Sequence, residues 1–176
     1  NAWLLLKVPT ETAATIIQKH LDKCPSGTIV IWEKIDRIIP GEHVGDEEYQ
    51  RAFLNYAQSV KERISVVFSS YMSGPHKVAF EMNGREISMW DPLTTRMPTE
   101  YLYVNGNEVK IKTFILPHQK KLSSNEFSLY AGAHGWNAQQ GFYIFRNNRL
   151  IVEGSWLLNG FEKAEQYRLA RIRIDI

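Results

Sequence analysis

The chain has 176 residues, 44% hydrophobic and 23% charged, the make-up of a folded globular protein with enough material for a core rather than a disordered tail. Its 21 Lys and Arg against 19 Asp and Glu leave a formal charge of +2, so no bulk charge calls for nucleic acid or an acidic membrane. A single cysteine, Cys24, excludes an internal disulfide framework and a multi-cysteine metal site, and no apolar run nears the ~20 residues of a membrane-spanning helix.

Trp3 to Leu6 is too short, and lacks the basic lead-in, to act as a signal peptide, so a cytoplasmic location is expected. Residues 10 to 23 read as a short helix, with Thr10 or Thr12 as N-cap and Ala13, Ile16, Ile17, His20 and Leu21 on one stripe. Pro25-Ser26-Gly27 stops it. The β-branched run Thr28 to Glu33 then reads as a buried strand. From Glu33 to Gln50 the chain is acidic and broken by Pro40, Gly41 and Gly45, which reads as a connector.

The clearest element is a helix over about 46–72. Tyr49, Phe53, Tyr56, Val60, Ile64, Val67, Phe68 and Tyr71 recur every three or four residues, and Gly74-Pro75 ends the run. At 1.5 Å per residue it would span roughly 40 Å, long enough to bridge two modules. Strands follow. Lys77–Met82 and Arg85–Trp90 flank Asn83-Gly84, a pair suited to a tight hairpin turn because both positions need positive φ. Tyr101–Val104 and Val109–Leu116 flank Asn105-Gly106 in the same way, and Phe142–Phe145 and Leu150–Val152 flank a turn at 146–149. Between the last two hairpins a glycine-rich loop is expected from Pro117 to Gly141, and a helix around Phe161–Tyr167. In the final stretch, Ala170, Ile172, Ile174 and Ile176 alternate with Arg171, Arg173 and Asp175, the period of a strand with its apolar side on a core. The fold class is α+β, with helices in front and a mostly antiparallel sheet behind. Residue 1 is Asn and residue 176 lies within a strand pattern, so a piece of a longer protein is expected.

The common catalytic signatures are missing. There is no Gly-x-Ser-x-Gly, no His-Glu-x-x-His, no EF-hand loop and no phosphate-binding Gly-Lys-Ser/Thr, so no catalytic residue and no metal ligand is assigned. Of the five histidines, His118 and His134 lie in the long loop, where a histidine is ordinarily solvated and a ligand contact is the lesser alternative. The cations are uneven: Lys110, Lys112, Lys120, Lys121, Arg146, Arg149, Arg171 and Arg173 could form a strip over one sheet face and the loop, able to meet DNA phosphates.

Three segments resemble parts of a GHKL-type ATPase, the group that includes gyrase, MutL and MORC proteins. Ser26 to Arg37 (SGTIVIWEKIDR) is similar to the strand that closes the ATPase domain, Gln140 to Ile151 (QGFYIFRNNRLI) to a hairpin of the transducer domain that follows it, and Tyr167 to Ile176 to the next transducer strand. The resemblance implies residues 1–37 as the end of an ATPase domain, 38–76 as an acidic connector and bridging helix, and 77–176 as a transducer-like domain of the ribosomal-protein-like left-handed βαβ type. It further implies ATP and Mg²⁺ as cofactors of a longer parent, with none expected for this chain alone. Thr28 is carried over as an adenine-side contact. The Asn-bearing first helix, the Asp-x-Gly-x-Gly box, the glycine-rich lid and the transducer lysine have no counterpart here, so the chain should not hydrolyse ATP by itself. The implied partners are the rest of the ATPase domain, a second copy and DNA, with no membrane, in DNA processing or defence. A nucleic-acid-binding α+β module is the alternative. A further one is an interaction scaffold that uses exposed aromatics such as Trp136 or Trp156.

Overall fold

The computed structural model describes residues 9–23, 26–33, 47–93, 100–104, 106, 109–157 and 161–176. The chain divides into two compact units, Asn1–Ala52 and Phe53–Ile176. The acidic connector expected before residue 47 lies outside the described residues, apart from its first residue, Glu33.

In the first unit, α1 (Glu11–Leu21) starts as its sequence requires. Thr10 caps it by accepting from the Ala13 N–H at 3.2 Å, Glu11 sits at the positive end, and Lys19 and His20 at the negative end. The Thr10 hydroxyl also donates to the Glu33 carboxylate at 2.9 Å, joining the helix to the segment that follows it. That segment corrects one expectation. Residues 27–33 form no strand, and Val30 and Trp32 are 72% and 76% exposed. A β-branched run becomes a strand only when another strand takes up its N–H and C=O groups, and the first unit has no strand among its described residues.

The helix expected near 46–72 is α2 (Glu47–Val67), continued by a 3₁₀ turn at Ser69–Tyr71. Its apolar stripe is buried only toward the C-terminal end, where Val66 and Val67 enter the core of the second unit; Phe53 and Tyr56 remain about half exposed. Trp90 N–H donates to the Ser65 carbonyl at 3.1 Å and its indole N–H to the Leu129 carbonyl at 2.8 Å, so the segment after the second strand is strapped to α2 and to α3 (Ser124–Ala131).

Seven strands occur among the described residues, numbered in chain order. β1 (Glu81–Met82) and β2 (Arg85–Glu86) form a small hairpin around Asn83 and Gly84, both at positive φ as expected. The other five, β3 (Glu100–Val104), β4 (Val109–Ile115), β5 (Gly141–Arg146), β6 (Arg149–Ser155) and β7 (Ala170–Asp175), make one sheet in the order β3-β4-β7-β5-β6. β7 slots between two hairpins, antiparallel to β4 and parallel to β5. The β5–β6 turn is closed by Asn147 and Asn148 at φ 47 and 65, the left-handed pair that matches strand twist. The architecture is therefore α+β.

Two expectations change here. The segment 117–141 is not a plain loop. It contains α3, started by a full capping box in which Ser123 Oγ accepts from the Glu126 N–H while Glu126 accepts from the Ser123 N–H at 2.9 Å. The helix expected around 161–167 shrinks to a 3₁₀ turn at Glu165–Tyr167.

β7 also presents its faces the other way round. Arg171 pairs with Phe114, and Arg173 with Tyr143, on the face that carries the core of Val66, Val67, Leu93, Phe114, Tyr143, Phe145 and Leu150. Ile172 and Ile174, paired with Phe142 and Ile144, lie on the opposite face and stay half-buried. Trp156 packs edge-on against Phe142, Phe161 and Tyr167 beside the Phe142 end of that second face.

Candidate anion-binding surface

The eight cations expected to form one strip fall into four environments. Arg171 is a correction: its side chain is fully buried and meets no solvent. Its guanidinium donates to the Pro92 carbonyl and, at 2.7 Å, to the Tyr130 carbonyl at the end of α3, and it lies 5.8 Å from the Trp136 ring centre. Burial pulls its pKa below the ordinary arginine value, and its Nε has no partner. A charge in that position ties β7, α3 and the 90–93 segment together and is closed to a phosphate.

Arg173 lies flat on Phe145, 3.9 Å from the ring centre, and its Nε donates to both Asp175 oxygens at 2.8 and 2.9 Å. Lys110 stands opposite Asp175 and Lys112 opposite Arg173. Together with Asn147 and Asn148 these four side chains border a shallow polar cavity of about 380 Å³. Asp175 offsets the charge of Arg173, so the net positive charge of the set comes from the two lysines.

Arg146 and Arg149 flank the same turn and line a groove of about 700 Å³. Its other wall is the α2 stripe of Val60, Ile64 and Val67, followed by Phe68 and Tyr71. Asn147 borders both cavities, so the turn joins the lysine side to the arginine side. Arg149 sits 5.9 Å over Phe68, and the Tyr71 hydroxyl donates to the Asn147 carbonyl at 2.5 Å, fixing the turn against the end of the helix. Arg63, absent from the expected strip, also lines this groove and is paired with Glu153 at 2.5 Å. Its position one residue before Ile64 on the helix stripe is the sequence signal that would have placed it there.

Lys120 and Lys121 are exposed on a 3₁₀ turn (Gln119–Lys121) beyond the opposite end of β4, away from the other cations. His118 caps that turn, its Nδ1 accepting from the Lys120 N–H at 3.3 Å. His134 is exposed at the mouth of a cavity of about 220 Å³ with Glu62 and Glu153. No group of three His, Cys, Asp or Glu suited to a metal occurs among the described residues. Thr28 is exposed in the first unit.

The glycine-rich segment packs against its own chain at several points. Gly132 ends α3 at φ 57, with the Trp90 ring where a side chain would stand. Gln139 and Gln140 are buried. The Tyr143 hydroxyl donates to Gln139 Oε1 at 2.6 Å, and Gln140 Oε1 accepts from the Trp156 indole and the Ala164 N–H, both at 3.0 Å. Burial pushes the Tyr143 hydroxyl well above the ordinary tyrosine range, so it stays a proton donor to Gln139.

Compared with protein-family models, curated proteins and solved structures, this chain finds no match. No helix among the described residues is long and apolar enough to cross a membrane.

Proposed function

We propose that this chain works as the post-nucleotide region of a GHKL-type ATPase, passing the ATP state held by the rest of such a protein into movement and dimer closure. One observation carries the reading. The two segments that resemble a transducer, 140–151 and 167–176, fold as one piece, a hairpin closed by two left-handed asparagines with the following strand returning alongside β5. Core packing ties that piece to the C-terminal end of α2, so a displacement of the helix is passed to the sheet. The exposed side chains of Ile29, Val30 and Trp32 are what the closing strand of an ATPase sheet would present without its sheet neighbours. Thr28 remains the adenine-side contact of this reading, and ATP and Mg²⁺ belong to residues elsewhere in the protein. The test is a titration with Mg²⁺-ATP that follows tryptophan fluorescence and phosphate release together. Neither should change. Turnover above a heat-killed control would place a complete site within these residues and overturn the proposal.

A second reading, DNA contact, rests on the convergence of Lys110, Lys112, Arg146 and Arg149 around Asn147. It uses phosphate attraction and therefore depends steeply on salt. Changing Lys110 and Lys112 together to Glu should weaken duplex binding at least about tenfold and flatten the log–log salt slope by about 2, one unit per lost phosphate contact. The same change at Lys120 and Lys121 should do little. Anisotropy with a labelled duplex distinguishes these outcomes, and salt-insensitive binding would retire the reading.

A further inference from the structure

The two edges of the five-stranded sheet are built differently. At one edge β6 is interrupted: its register with β5 shifts twice, and Gly154, at φ 52, lies buried against the Ala138 carbonyl. Bulges and covering segments of this kind stop another strand from adding on. At the other edge β3 has none of these devices. Its sequence is Glu-Tyr-Leu-Tyr-Val, without Pro, Gly or Lys, and it pairs in unbroken register with β4 over all five residues. Tyr101, Leu102, Tyr103 and Val104 are each between 46% and 58% exposed. The sheet ends at β3, so the outward N–H and C=O groups of that strand have no strand partner among the described residues.

A regular, apolar, unguarded edge is completed by another strand. We infer that β3 pairs with β3 of a second copy, antiparallel about a two-fold axis through Leu102. The sequence fits itself in that arrangement. Leu102 meets its own counterpart, Tyr101 stands opposite Tyr103, and Glu100 stands opposite Val104, so no like charges face each other and all five residues pair. The two-fold keeps the sheet faces in register. Leu102 and Val104 extend the apolar row that runs through Ile111 and Ile174. Tyr101 and Tyr103 extend the face that carries Lys112 and Lys110. The lysines of the two copies stand about 14 Å apart, three strand spacings, which exceeds the ~10 Å screening length at moderate salt. Pairing needs no nucleotide and stands apart from the ATPase reading.

The experiment is sedimentation of the chain without nucleotide over a wide concentration range, in a Cys24→Ser background. A monomer–dimer equilibrium is expected. Leu102→Lys sets two ammonium groups face to face on the axis and should raise the dissociation constant at least about tenfold, with an unchanged circular dichroism spectrum because the side chain is half exposed. Leu102→Cys should give a disulfide-linked dimer on mild oxidation, since opposed residues of an antiparallel pair have Cα atoms about 4.5–5.5 Å apart, within disulfide reach. Lys120→Cys, exposed but outside the edge strand, should not. If the lysine variant fails to fold, the cysteine pair carries the test alone. A monomer at every concentration, or a dimer that Leu102→Cys fails to trap, overturns the inference.

Discussion

Arg171→Ala should lower the free energy of unfolding by about 4 kcal/mol, read by urea denaturation with tryptophan fluorescence. The side chain is fully buried, and its guanidinium serves the carbonyls of Pro92 and Tyr130 from β7. Truncation removes the guanidinium hydrogen bonds to both carbonyls, at about 1–3 kcal/mol each, and opens a void where a long side chain lay against Trp136. Against this, it removes a buried charge whose solvation is incomplete, as the unpartnered Nε and the lowered pKa indicate. Arg171→Met separates the terms. It keeps the volume of the stem, discards the charge and still removes those two hydrogen bonds, so its loss should fall to about half that of alanine. Marginal domains have only about 5–15 kcal/mol to lose, and the alanine variant therefore approaches the limit of folding. A loss below about 1 kcal/mol for alanine, the level of an ordinary surface change, would return Arg171 to the solvent face where its sequence pattern put it.

That pattern explains how much of the molecule was legible. Alternation in 169–176 correctly announces a strand, because period 2 belongs to the backbone. It cannot say which side is the core when the charged side can be neutralised by packing. Here Arg171 finds two carbonyls and Arg173 finds Asp175 and Phe145, so the face with the arginines is inside and the isoleucines are left half-covered. The cationic strip was misread for the same reason: counting charges by sequence position ignores their partners.

Local chemistry was readable wherever it acts over a few residues. Thr10 as a cap, the Asn-Gly turn at 83–84 and the hairpins around it and later in the chain all depend on neighbours in sequence. The helix at 124–131 had the same kind of signal in Ser123-x-x-Glu126, but the surrounding glycines masked it. What the sequence does not contain is pairing at long range. Thr28–Glu33 has strand propensity but meets no strand among the described residues, and Phe53 and Tyr56 on the α2 stripe stay about half exposed. Propensity is a local quantity and burial is not.

Gly141→Ala is expected to cost about 3–5 kcal/mol, and the cause is a close approach of backbone to backbone. Gly141 has φ +103, beyond the left-handed well that other residues tolerate, and a methyl group there would stand 2.8 Å from the carbonyl carbon and oxygen of Ser155. The obstacle is main chain of the paired strand β6, which cannot rotate away like a side chain tip. Either β5 or β6 must shift, and Gly141 is also the residue opposite Arg171 on β7, so the displacement is transmitted to the buried guanidinium. The losses from Gly141→Ala and Arg171→Met should therefore fail to add in the double variant. Gly135→Ala provides the control. It has φ +79 with nothing within 4 Å of the added carbon, so it carries strain alone, about 1–2 kcal/mol. If both glycine variants lost the same amount, backbone strain would account for everything, and the contact with Ser155 would have to yield at no cost.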